Sequence, residues 1–358
     1  MPAPYRVPLF DALAERASLE VLFLAARDPR RAYRLEPERY GFRHRVLRGV
    51  SLHRRLHWLV LNAGVGRALS RQPADVVIVG GWNQPAFWLA QAWARRRRVP
   101  VVAWVESTLR DRRPGSRAGE HAKRIFVGRC NGFLVPGGAA RAYLESLGAE
   151  PTSITVAPNA VEPADFRERV AELAQDRARL REELGLAGVT FLTVARLSPE
   201  KGLDVLMRAF AGIDATLVVV GDGPERGRLV ESAPPHVRFA GHVEGDGLLA
   251  WYAAADAFVL PSLSETWSIA LTEAAHAGLP LVASDAVGAA WELVEEGASG
   301  FRVPAGDAEA LHAALRRLAG DDALRATAGA RSLELAAPYT ASAWAGAVLQ
   351  TATRLAGR

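Results

Sequence analysis

Short apolar runs punctuate the chain at residues 19–25, 76–79, 101–105, 132–135 and 154–156, and again at 189–195, 215–220 and 257–260. Runs of this length without an alternating polar face predict strands buried on both sides, as in a parallel sheet. Between them, residues 52–70, 86–94, 203–211 and 267–277 carry apolar positions at helical spacing and are predicted as helices. The βα rhythm, repeated in each half, predicts an α/β protein of two doubly wound, Rossmann-like domains, which 358 residues accommodate. The expected boundaries are 1–160 and 161–338, with a hinge at 159–188, a charged helical segment at 165–184 and a last helix at 341–355 inside the tail 339–358.

Candidate chemistry gathers in the second half. Glu265 follows the run 257–260 and so lies in a strand-to-helix loop, whereas Glu273 lies inside the helix that Gly278 and Pro280 stop. A helix start offers unpaired backbone N–H groups and the positive end of the macrodipole to a phosphate, while carboxylates accept from ligand hydroxyls. Phosphate and hydroxyls together point to a nucleotide sugar, although two acids near a helix start are by themselves more often solvated surface. Arg196 and Lys201 flank the turn after the run 189–195, and ligands of doubly wound sheets collect at the carboxyl ends of strands. Both cations are therefore expected to neutralise a diphosphate. Lys201 and Lys123 are the only lysines among 44 basic residues, so an ammonium here hints at a need for a point charge on phosphate. The segment Gly221-Asp-Gly-Pro-Glu-Arg-Gly227 matches a dinucleotide fingerprint poorly and reads either as a tight turn or as a close backbone approach to a ligand.

Four pieces occur in order: Ala195-Arg-Leu-Ser-Pro-Glu-Lys-Gly202, Val220-Gly-Asp-Gly-Pro224, Val237-Arg-Phe-Ala-Gly-His-Val243, and Glu-x7-Glu from Glu265 to Glu273. Together they resemble the C-terminal half of the GT4 family of retaining glycosyltransferases of GT-B fold. Segments 157–161, 285–294 and 300–304 are also similar to that family, so that about half of the chain is covered.

The resemblance implies a donor-binding second domain, an acceptor-side first domain and a last helix that crosses back to the first. It implies that Arg196 and Lys201 hold the donor diphosphate, Glu273 the ribose hydroxyls and Glu265 hydroxyls of the transferred sugar. Backbone amides of Thr266, Trp267, Ser268 and Ile269 would complete the cradle, with Gly221 beside the phosphates and Val243 and His242 near the base. Trp267 stands where glycine or phenylalanine is common, and either narrows the sugar pocket or packs beneath the loop. The implied activity is transfer of a hexose-type sugar from a nucleoside-diphosphate sugar to a hydroxyl of a glycan, lipid-linked or small-molecule acceptor, as in polysaccharide biosynthesis, with no metal or other cofactor.

Two departures accompany the resemblance. The opening Met1-Pro-Ala-Pro-Tyr-Arg-Val-Pro-Leu-Phe10 already reads as a loop and helix start, so the first strand of the first domain is expected to be missing. Where many relatives place a histidine after the strand 101–105, this chain has Glu106, expected either to orient donor or acceptor as a catalytic group or to pair with an arginine. A non-catalytic or truncated nucleotide-sugar binder, and another GT-B enzyme such as a sugar-nucleotide epimerase or a phosphorylase, are the alternative classes.

Charge adds a partner. Residues 1–160 hold 26 Arg and Lys against 12 Asp and Glu, net +14, and the remainder is net −9. A basic first domain suggests an anionic membrane surface, a lipid-diphosphate acceptor or an acidic glycan rather than nucleic acid, with Arg95–Arg98 and residues 110–117 the densest runs. Cys130 is single, which excludes an intrachain disulfide and a Cys-rich zinc site, and the eight histidines lack metal-ligand spacing. With no apolar stretch of ~20 residues and no secretory pattern after Met1, the expected location is the cytoplasm, peripheral to the inner membrane face.

Overall fold

The computed structural model describes residues 4–26, 37–54, 57–110, 117–161 and 163–357. The chain divides into two compact units, one of Met1–Leu109, Arg113–Ala160 and Thr340–Arg358, the other of Arg110–Arg112 and Val161–Tyr339.

In the first unit the strands are β1 (Glu20–Phe23), β2 (Arg43–Val46), β3 (Val50–Arg54), β4 (His57–Leu61), β5 (Val77–Val79), β6 (Val101–Trp104), β7 (Gly132–Val135) and β8 (Ile154–Val156). Strands β5 to β8 form a parallel sheet in sequence order. Val101, Val102, Leu134 and Val135 are fully buried because helices cover both faces. One face packs around Ala90, Phe126 and Leu144 of the helices Pro85–Arg96, Arg117–Val127 and Gly138–Ser146. Against the other lie Leu9 and Leu13 of helix Val7–Ala14 and Trp344 and Val348 of helix Ala341–Ala356. The last helix of the chain is thus part of the first unit, tied there by the Thr351 hydroxyl donating to Thr155 Oγ1 at 2.9 Å. Strands β1 and β2 form a separate parallel pair, and among the described residues no ladder joins β1 to β5.

The second unit holds β9 (Thr190–Val194), β10 (Thr216–Val220), β11 (Val237–Gly241), β12 (Ala257–Leu260), β13 (Leu281–Ser284) and β14 (Gly300–Val303). They form one parallel sheet in the order β11-β10-β9-β12-β13-β14. The chain starts at the centre, builds outward to β11, returns to the centre and builds the other way. Its switch point lies between β9 and β12, where the ligand crevice of a doubly wound sheet is expected.

Two helical expectations change. Residues 52–70 form the antiparallel hairpin β3–β4 and a short helix Val65–Leu69, not one helix. Leu52, Leu56, Leu59 and Val60 fit helical spacing, but Val50/Leu52 and Leu59/Leu61 also alternate with period two, and the second pattern wins. Residues 55–56 at the turn lie outside the described residues, as do 111–116 of the second basic run. The segment 165–184 is two helices, Pro163–Ala174 and Arg177–Glu183, because Asp176 caps the second by accepting from the Arg179 N–H at 3.4 Å. Strand β2 reads Arg-His-Arg-Val and has no apolar run to reveal it.

Candidate active site

The loops that follow β9 and β12 are laced together by their backbones. The carbonyl of Glu200 accepts from the N–H of Leu263 at 2.8 Å and of Ser264 at 3.3 Å. Gly202 sits in the left-handed region at φ 62°, and a Cβ there would lie 2.3 Å from the carbonyl oxygen of Pro261. Only glycine fits both demands. This approach carries Lys201, in the turn Pro199–Lys201, against Glu265, whose Oε2 accepts from the Lys201 ammonium. Each side chain keeps about a fifth of its surface exposed, so the pair lines the crevice rather than the core.

Arg196 is exposed and makes no side-chain hydrogen bond or ion pair among the described residues. Nearby, burial pushes the Glu200 carboxyl up, but the Ser198 hydroxyl, a backbone N–H and the charges of Lys201 and Arg196 outweigh it and hold it below the ordinary range. Lys201, Glu200 and Arg196 therefore form one charged rim at the end of β9.

The Glu265 loop is also held from its other side. Residues Glu265 and Val287 form a parallel bridge, Gly288 N–H donates to the Glu265 carbonyl at 3.0 Å, and Ala289 N–H to that of Trp267 at 3.1 Å. Helix Ile269–His276 then begins at Ser268, a non-glycine residue at φ 106° whose hydroxyl accepts from Leu271 N–H at 3.1 Å. Such a conformation costs ~1–3 kcal/mol and persists where surrounding contacts fix it. The N–H groups of Thr266, Trp267, Ser268 and Ile269 find no acceptor among the described residues, leaving four donors at a helix start.

Glu273 lies one turn into that helix. Its Oε2 accepts from the Tyr252 hydroxyl at 2.7 Å, and burial raises the carboxyl above its ordinary range against that hydrogen bond. Tyr252, on helix Asp246–Ala254, also reaches the Ala270 carbonyl at 3.3 Å and fixes the Glu273 rotamer. Nothing in the sequence pattern singled Tyr252 out, since aromatic residues at helical spacing usually mark a core.

Trp267 packs beneath the loop. It is 3 % exposed, donates from Nε1 to Thr272 Oγ1 at 3.2 Å and lies 5.6 Å from the Tyr339 ring, so of the two expectations its side chain meets the packing one. Gly221, at φ 135°, would place a Cβ 1.9 Å from the Ala195 carbonyl oxygen, and Gly223 one 2.4 Å from that of Leu197. These glycines let the loop after β10 stack on the loop after β9, which is a sufficient reason for their presence. Val243 is half-buried beyond β11, with Gly247 beneath it, and His242 is an exposed side chain paired with Glu244 at 3.0 Å.

Glu106 belongs to the first unit, two residues past β6. Its Oε1 accepts from Arg6 Nη2 and from Asn159 Nδ2, both at 2.9 Å, and the Arg6 guanidinium lies 4.5 Å from the centre of the Trp104 ring. The arginine pairing is the one of the two expectations that the geometry bears out. Arg6 and Asn159 escaped the sequence reading because their partner is distant along the chain. Lys123 is in the same unit, donating to Glu120 at 2.6 Å and to the Tyr143 hydroxyl at 2.8 Å.

This doubly wound unit, with a basic turn after its central strand and two glutamates around a facing helix start, is one half of a GT-B fold. Residues 188–321 match the family of glycosyl transferases group 1, and residues 9–165 match glycosyltransferase family 4. The chain belongs to this family. It is 36 % identical over 200 residues to a phosphatidyl-myo-inositol mannosyltransferase of Mycobacterium leprae, covering 52 % of this chain and 49 % of that one. Over 211 residues it is 36 % identical to a D-inositol 3-phosphate glycosyltransferase of Acidothermus cellulolyticus, covering 52 % and 45 %. The chain thus spans about half the length of these curated relatives. In fold it is similar to Anabaena HepE in complex with UDP, with a TM-score of 0.81 at 21 % identity over 99 % of this chain and 97 % of that one.

Proposed function

We propose that the protein transfers a hexose-type sugar from a nucleoside-diphosphate sugar to a hydroxyl of a glycan, lipid-linked or small-molecule acceptor, with retention at the anomeric carbon. The observation that carries this reading is the contact of Lys201 with Glu265 beside four unpaired N–H groups. Together these present cationic, N–H donor and carboxylate groups to a phosphosugar within one crevice. In this reading Arg196 and Lys201 take the diphosphate, so no metal is required for its charge. Glu273, oriented by Tyr252, accepts from the ribose hydroxyls, and Glu265 from hydroxyls of the sugar. As the anomeric C–O bond to phosphate breaks, the acceptor oxygen bonds to the anomeric carbon on the same face and its proton passes to the leaving phosphate oxygen. The pairing of Glu265 with Lys201 supports this route, because a carboxylate held by an ammonium is a poor nucleophile. Glu106, held by Arg6 and Asn159, serves as a positioning group.

The deciding experiment is a thermal-shift series with UDP, GDP, ADP and dTDP, beginning with UDP because HepE was solved with it. One nucleotide at a hundred times its Kd should stabilise by ~2.7 kcal/mol. If all four leave the melting temperature unchanged, the donor site is wrong. Retention is read separately, from the anomeric configuration of the product by NMR.

A further inference from the structure

The hairpin β3–β4 carries four aliphatic residues on its outward face. Inward, Val60 is buried; outward, the register pairs Val50 with Leu61 and Leu52 with Leu59, and these four are exposed by 63, 44, 48 and 38 %. A solvated sheet face ordinarily alternates to polar residues, so four adjacent aliphatic side chains mark an interaction surface. Leu89, on helix Pro85–Arg96, is 48 % exposed and extends the patch through a cleft of about 520 Å³ that Leu59, Trp82, Pro85 and Trp88 also line.

The hairpin is firmly seated. Gln84 accepts from Val60 N–H and donates to the Trp58 carbonyl, both at 2.9 Å, which occupies the outer edge of β4 as a neighbouring strand would. At its base Asn62 donates to the carbonyls of Leu24 at 2.9 Å and Arg48 at 3.2 Å. With that edge satisfied, the free feature is the apolar face and not the ladder.

Charge identifies the occupant. From residue 39 to residue 74 the chain has eight arginines (39, 43, 45, 48, 54, 55, 67 and 71), three histidines and no Asp or Glu. Arg48 and Arg67, close along the chain to either end of the hairpin, are both exposed. An aliphatic face with the exposed Arg48 and Arg67 near it is complementary to the acyl boundary and phosphates of an anionic bilayer. A second copy would set these arginines against their own counterparts, like charge against like.

We propose that the outward face formed by Val50, Leu52, Leu59 and Leu61, with Leu89, seats the protein on an anionic lipid bilayer, the aliphatic side chains entering the acyl boundary and Arg48 and Arg67 bonding lipid phosphates. This surface names where an acceptor is met and stands apart from the donor-site reading, since vesicle binding and nucleotide binding are measured separately.

The test is co-sedimentation of the full chain with phosphatidylcholine vesicles, with or without phosphatidylglycerol, at low and high salt. Two variants accompany it: Leu52→Ser with Leu59→Ser on the face, and Arg95→Gln with Arg96→Gln on the separate basic run. Circular dichroism verifies that each is folded. The expected result is binding to phosphatidylglycerol vesicles that weakens with salt, falls at least ~tenfold in the leucine variant and stays within ~threefold in the arginine variant. Absence of binding at low salt would overturn the proposal. So would equal binding by the leucine variant, or light scattering that shows a dimer which this variant makes monomeric, because the face would then belong to a second copy.

Discussion

At the scale of single residues, the two lysines separate cleanly. Lys201 meets Glu265 at the crevice, while Lys123 is spent on Glu120 and Tyr143 in the other unit. Lys201→Ala is therefore expected to weaken binding of the preferred nucleotide ~ten- to a hundredfold, the loss of one charge-assisted contact worth ~1.5–3 kcal/mol. Lys123→Ala should leave it unchanged. Isothermal titration of both variants decides, and equal affinities would remove Lys201 from the site. His276 gives a second prediction. It is 2 % exposed, and its Nε2–H donates to the Tyr339 carbonyl at 3.1 Å. Burial, helped by Arg167 and opposed by that hydrogen bond, lowers its pKa from 6.5 to about 4. Between these values the unfolded chain binds the extra proton, so stability rises with pH through this window and falls by up to ~3 kcal/mol on acidification towards pH 4. Urea unfolding from pH 7 to 4.5 should show a shallower loss for His276→Gln than for the parent, since glutamine can still donate to Tyr339. Identical slopes would place the proton elsewhere.

At the scale of elements, short loops position the site and specific contacts hold them. Gly221→Ala would bring a Cβ against Ala195, and no rotamer relieves a clash with backbone. The variant should lose ~2 kcal/mol or more and bind nucleotide less tightly, because the loop carrying Arg196 must move. Denaturant titration and calorimetry test both parts, and a variant as stable as the parent would refute the stacking argument. Asp256 plays a similar part for helix Arg177–Glu183. It accepts from Thr190 N–H at 2.8 Å, Arg177 at 2.7 Å and Arg181 at 3.0 Å, so Asp256→Ala should cost ~2–3 kcal/mol by removing the carboxylate between two guanidinium groups and leaving the Thr190 N–H without its acceptor. A loss below ~0.5 kcal/mol in denaturant titration would show that solvent satisfies them. These elements also show why some of the fold was legible in sequence and some was not. Strands β9, β10 and β12 are buried on both faces, so their composition reveals them, and the loops after β9 and β12 carry the charges that mark the crevice. The hairpin was misread because its apolar residues satisfy two periods at once, and only cross-strand pairing chooses between them. Tyr252, Arg6 and Asn159 were missed because their roles depend on partners 21, 100 and 53 residues away.

At the scale of the whole molecule, the chain is two compact units of opposite charge bias, with the proposed donor residues confined to Val161–Tyr339. Each unit has cores on both faces of its own sheet, so each can in principle unfold as its own cooperative transition. A nucleotide that binds the crevice at the switch point stabilises the unit that contains it through mass action. At a hundred times Kd this amounts to ~2.7 kcal/mol, which for a domain of this size raises the midpoint by ~5–10 °C. The transition of the first unit should move less, because none of Arg196, Lys201, Glu265 or Glu273 resides there. Hydrogen exchange during a thermal ramp distinguishes the units by their peptides. The expected outcome is delayed exchange in peptides from β9, β10 and β12 with nucleotide, and little change in those from β6 and β7. A delay confined to β6 and β7 would instead put the nucleotide in the first unit and leave the pairing of Lys201 with Glu265 as a purely structural contact.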